Sequence, residues 1–65
     1  MTDYSEIRRL AKGRHISLTD LSETIGMWRN YFYEMERNGL DIPWNKLCVI
    51  ADTLRVDPER LVRFE

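Results

Sequence analysis

Ser17-Leu18-Thr19-Asp20-Leu21-Ser22-Glu23-Thr24-Ile25-Gly26-Met27-Trp28-Arg29-Asn30-Tyr31-Phe32-Tyr33-Glu34-Met35-Glu36-Arg37-Asn38-Gly39 is the stretch that decides the fold. Ser17 is a helix-capping residue type, because its hydroxyl accepts an N–H that the first turn leaves free. Asp20, three residues on, can complete a capping box through its short carboxylate. Leu18, Leu21 and Ile25 then recur at three and four, an apolar stripe that predicts a helix over 18–25. Gly26 stops it, since glycine takes positive φ without steric penalty. A second helix is expected from about Arg29 to Arg37, with Phe32 and Met35 facing inward and Met27 packing just before it. Asn38-Gly39 closes it, both residues tolerating the left-handed conformation. So few residues between two short helices fix one across the other, and the small Ser22 lets them approach closely.

Outward from this pair the same period continues. Upstream, a helix is expected from about Asp3 to Lys12: Asp3 caps it, Glu6 sits at the capping-box position, Tyr4, Ile7, Leu10 and Ala11 share a face, and Gly13 ends it. Downstream, a fourth helix opens at Asp41 with Pro43 in its first turn, and Trp44, Leu47, Ile50, Ala51 and Leu54 form its inward face. A fifth, one short turn, is capped by Asp57 with Pro58 behind it; Leu61 and Phe64 face inward and Val56 anchors the link. No segment alternates with a period of two. The expectation is an all-α, five-helix bundle in which residues 1–65 make one domain around a helix-turn-helix core at about 17–38. Its core is expected to hold Ile7, Leu10, Leu21, Ile25, Phe32, Met35, Leu47, Ile50, Leu54 and Leu61.

Composition narrows the class. A chain of 65 residues buries only about 60% of the surface its unfolded form exposes, so helical packing or self-association must support it. A disulfide framework is excluded by the single cysteine, Cys48, and one histidine, His15, cannot complete a usual metal site with it. No cofactor is expected. A lone thiol fits the reducing cytoplasm. No apolar run approaches the ~20 residues of a membrane span, and the N-terminal residues lack a signal-peptide plan. With no phosphate-cradling glycine loop and carboxylates scattered along polar faces, an enzyme is not expected. The net charge of −1 departs from the basic surplus usual for nucleic-acid binding. Within it, residues 1–15 carry Arg8, Arg9, Lys12 and Arg14 against Asp3 and Glu6, whereas residues 16–36 carry Arg29 alone against four acids.

The run from Ser17 to Met27, then Phe32, Met35-Glu36-Arg37-Asn38, Leu47, Ile50-Ala51, Leu54, Val56 and Leu61, resembles the Cro/CI-type (XRE, lambda-repressor-like) helix-turn-helix family over essentially the whole chain. The resemblance implies a recognition helix beginning near Trp28, transcription regulation by a repressor, and dimeric binding to palindromic DNA operators. The chain departs from the family at named positions. Leu18 stands where a phosphate-contacting glutamine is usual, and Ser22 where alanine is. Ala11 replaces the first-helix arginine that pairs with the glutamate present here as Glu36, leaving Arg8, Arg14 or Arg37 to substitute. The loop after the recognition helix, often basic, reads Leu40-Asp41-Ile42.

On that footing Arg29 and Asn30, in the first turn of the recognition helix, are the expected base contacts: arginine offers a bidentate donor pair to guanine and asparagine suits adenine. Tyr33, four residues after Arg29, shares their face and either joins the contacts or packs on a neighbouring helix. Ser17, Trp28, Tyr31, Asn45 and Lys46 are the candidates for the DNA backbone, with packing as the alternative for Trp28 and Tyr31 and a solvated surface for Asn45 and Lys46. Trp28 occupies a cap position although its indole cannot accept helix N–H bonds, so either packing over the helix junction or a protein–protein contact explains it. Val62 and Phe64 exceed what one short turn can bury, which suggests a weak homodimer through the fifth helix. The other function class consistent with the charge and with Trp28, Tyr31 and Tyr33 is a protein-interaction module on the same fold that binds no DNA.

Overall fold

A computed structural model describes residues 1–64. Four α-helices run α1 Tyr4–Gly13, α2 Leu18–Thr24, α3 Tyr31–Arg37 and α4 Trp44–Leu54, and a 3₁₀ turn, Pro58–Leu61, follows. The all-helical expectation holds; the fifth element is a 3₁₀ turn rather than an α-helix. No strand occurs among the described residues, only an isolated antiparallel bridge between Thr2 and Val62. No described helix is long and apolar enough to cross a membrane.

Local chemistry explains the boundaries. Asp3 accepts the Glu6 N–H at 3.1 Å and Ser17 accepts the Asp20 N–H at 3.0 Å, so α1 and α2 start on side-chain caps. The capping box of α1 is half formed: the Glu6 carboxylate turns away to Arg9 and to Arg60 of the 3₁₀ turn. All four helices end alike. A residue of positive φ follows the last turn, and its N–H and the next one bond back to carbonyls of that turn, as in Ile16 N–H to Ala11 at 2.9 Å and Met27 N–H to Ser22 at 2.9 Å. Leu40 on Met35 and Val56 on Ala51 repeat the bond, and an apolar residue occupies the same place in each closure. Gly26 and Gly39 supply two of the positive-φ positions; His15 and Arg55 supply the others, so His15, not Gly13, makes the turn out of α1.

The core joins every element. Ile7, Leu10 and Ala11 of α1, Leu21, Ile25, Phe32, Leu47, Ile50, Ala51, Leu54 and Leu61 are buried, as the spacing indicated, while Met35 is only half-buried. Two tenants of the core differ from expectation. Trp44 is 54% exposed, because α4 begins at that residue and its side chain leaves from the open first turn; Ile42, just before, is buried instead. Phe64 points outward. Ile42 is held by the chain's own N-terminal segment: the Thr2 hydroxyl accepts the Ile42 N–H at 3.0 Å, and Asp41 accepts the Thr2 N–H at 2.8 Å. Buried Ser22 donates its hydroxyl to the Leu18 carbonyl at 2.8 Å, which satisfies its polar group at the point where α2 meets α3.

Candidate nucleic-acid interface

The site is built on the turn between α2 and α3. Gly26 reverses the chain at φ +78°, Met27 packs on the core, and the next three residues cross to α3. The expected recognition helix starts later than the spacing suggested, at Tyr31 rather than about Arg29. Asn30 occupies its N-cap position but makes no side-chain cap bond. Trp28 is therefore no cap residue. It lies before the helix, where its carbonyl accepts the Tyr31 N–H at 3.1 Å.

This shift sorts the aromatic residues. Tyr31, a candidate either for the DNA backbone or for packing, is 4% exposed, and its ring packs edge-on between Trp28 and Phe32. With the helix starting about two residues late, position 31 lies inward beside Phe32, so its ring serves the core. Tyr33 instead projects into solvent, 66% exposed, which removes the reading in which it packs on a neighbouring helix. Tyr33, Glu34 and Arg37 are exposed on the side of α3 away from Phe32 and Met35, whereas Arg29 and Asn30, expected in the first turn of the helix, are exposed in the turn just before it.

Charge pairing decides which cations are available. Arg8 donates to both oxygens of Glu36 and so substitutes for the arginine missing at position 11, one turn earlier on the same face of α1. Arg9 and Arg60 share Glu6, and Arg63 pairs with Asp3 at 3.2 Å. Two of the four cations of residues 1–15, Arg8 and Arg9, are thus paired. Among the described residues Lys12, Arg14, Arg29, Arg37, Lys46 and Arg55 enter no ion pair. Lys46 nevertheless has a partner: its ammonium donates to the Ile25 carbonyl at 3.1 Å, closing the C-terminal end of α2 and tying α4 to the turn. Two of its three protons remain for another acceptor. Asn45 is exposed, with its side-chain oxygen on the Lys46 N–H at 2.9 Å, and Ser17 is exposed but occupied in capping.

One residue escaped the sequence reading. Glu34 accepts the Trp28 indole N–H at 2.8 Å. Six residues separate them, which is no helical spacing, and only the placement of Trp28 ahead of the helix brings them together. Arg8 was one of three candidates for Glu36, and its position one turn before Ala11 is the signal that favours it.

A family profile described as the Cro/C1-type HTH DNA-binding domain matches residues 6–65, from early α1 onward. Comparisons with curated proteins and with solved structures give no match. The match takes in most of α1, the other three helices and the 3₁₀ turn, with Gly26 and the exposed face of α3 inside it, and the chain belongs to the Cro/C1-type helix-turn-helix family of DNA-binding domains.

Proposed function

We propose that this chain is a cytoplasmic, sequence-specific transcription regulator, acting as one domain that binds a palindromic operator as a weak homodimer and represses from it. The observation that carries the reading is the exposed approach to α3 and its outer face: Arg29 and Asn30 just ahead of the helix and Tyr33 on it are exposed, Arg29 enters no ion pair among the described residues, and the other side of the helix is locked into the core. In this reading Arg29 and Asn30 meet base edges, Tyr33 meets a base edge or thymine methyl, and Lys46, Asn45, Ser17 and Trp28 lie along the phosphates. Burial removes Tyr31 from that set. Met1, Trp44 and Val62 line one shallow hollow, and Phe64, two residues on from Val62, is exposed; these apolar groups suit the two-fold contact. The role is binding, with no reaction and no cofactor.

A salt titration against a pool of random duplexes tests it. The expected result is enrichment of one sequence, with a shallow salt slope because few counterions are released. Arg29→Ala should then lose about 1–3 kcal/mol of preference at one position and keep non-specific binding, while Lys46→Ala should weaken all sequences alike. If no duplex binds above background at low salt, the operator reading fails. The second reading, a protein-interaction module, has its own observation in the net charge of −1 and in Trp28 and Trp44, each 54% exposed.

A further inference from the structure

Trp28 is an exposed side chain held by a ring contact and a hydrogen bond. Its ring meets Tyr31 edge-on, with centroids 5.0 Å apart and planes at 89°, and Tyr31 meets buried Phe32 at 73°. Three rings in succession thus tie the indole to the core. Its N–H is given to Oε2 of Glu34 at 2.8 Å. The carboxylate is held on one side, while Oε1 accepts no hydrogen bond among the described residues. Glu34 shares the exposed face of α3 with Asn30 and Arg37, one turn away in each direction.

We infer that Glu34, held by Trp28, is a specificity-determining residue that reads a cytosine in the operator. This rests on the operator reading above and names one base of it. An ionised carboxylate only accepts hydrogen bonds. In the major groove guanine presents O6 and N7 and thymine presents O4, all acceptors that repel it, whereas cytosine presents its N4 amino group. Adenine sets N7 beside its N6 amino group, a pair that suits an amide. A carboxylate turned toward a duplex is also repelled by the phosphates, so only a donating base offsets its presence there. The indole bond fixes which oxygen is free and removes the torsional freedom that would let the side chain swing away.

Selection from a random-core duplex pool, run on the full chain and two variants, tests the inference. Wild type should select cytosine at one position. Glu34→Gln is isosteric, and its amide oxygen still accepts the indole proton. It should move that position alone from cytosine to adenine, with a roughly tenfold fall in affinity for the cytosine duplex. Trp28→Phe keeps an aromatic ring against Tyr31 but has no N–H to give, and should relax the same position while the others hold. Thermal midpoints of both variants accompany the selection. An unchanged base profile in Glu34→Gln, whatever its midpoint, overturns the inference and leaves the contact as a brace for the start of α3. An unchanged profile in Trp28→Phe overturns the holding role of Trp28. A wild type that selects no duplex overturns the operator reading and this one together, whereas selection that Glu34→Gln leaves untouched sinks this one alone.

Discussion

The two helices of the central pair are alike in length and ending, yet opposite in how they begin. Each has seven residues, and each closes on a glycine of positive φ, Gly26 after α2 and Gly39 after α3. Ser17 caps α2 through its side chain, whereas Asn30 makes no such bond at α3. The first helix satisfies its own backbone and spends its side chains on burial, Leu21 and Ser22 being inaccessible to solvent. The second leaves the amide of Asn30 uncommitted, and beside it Arg29 enters no described ion pair. In the proposed reading, the helix that meets DNA is the one entered through uncommitted polar residues, and its order is borrowed from a neighbour that caps itself.

Substitutions can break or sharpen that contrast. The largest effect should come from Leu21→Ala, which removes a side chain of 0% exposure and should lower unfolding free energy by about 2–5 kcal/mol. Tyr33→Ala, on α3 and 66% exposed, should stay within about 0.5 kcal/mol of wild type in the same urea titration. Equal losses would mean that α3 is as structural as α2. Next come the two closures. A methyl added at Gly26 or Gly39 meets nothing within 4 Å, so Gly26→Ala and Gly39→Ala carry only backbone strain, about 1–2 kcal/mol each. Thermal melts giving clearly unequal values would show that the two ends are not the same device. The caps follow: Ser17→Ala should remove about 1 kcal/mol. Asn30→Ala should change stability by less than about 0.5 kcal/mol. A large loss at Asn30 would place a cap bond there after all.

The smallest effect lies outside both helices. The hydrogen bond from Arg9, seconded by Arg60, holds the Glu6 carboxyl at about 2 against an ordinary 4.5. A carboxyl depressed in the folded state contributes stability that is present above its unfolded value and is lost as pH falls through the folded one. Urea midpoints measured downward from pH 5 should therefore fall between about 4.5 and 2, and Glu6→Gln should flatten that limb. An unaltered limb in the variant would assign the acid response to other carboxyls.

Much of this molecule is readable from spacing because its helices are set by local rules. The stripe Leu18, Leu21, Ile25 and the glycines at 26 and 39 needed nothing beyond their neighbours. The misplacements have a different origin. Trp44 keeps helical spacing with Leu47, but Thr2, far away in sequence, fastens Ile42 into the place beside it. Tyr31 goes inside because α3 starts late, and that start is set by the turn closed between Trp28 and Tyr31 rather than by a capping residue type. Of the candidate site, Arg29, Asn30 and Tyr33 could be named because they are polar or amphipathic residues near a helix start. Glu34 could not, since its partner reaches it only after the turn has folded.

The bridge between Thr2 and Val62 carries a consequence for folding. The Asp3 N–H meets Leu61 at 2.8 Å and the Arg63 N–H meets Met1 at 2.7 Å, so nearly the whole chain is a single closed loop. Closing a loop costs entropy that grows with its length, and contacts of such long separation are made late. The helical turns and the α2–α3 junction can form before the ends meet, and the ends can part while these persist. Because the same threonine also holds the α3–α4 loop, the amides of Thr2, Asp3, Ile42 and Arg63 should exchange with solvent together, as one opening unit drawn from opposite ends of the chain and its middle.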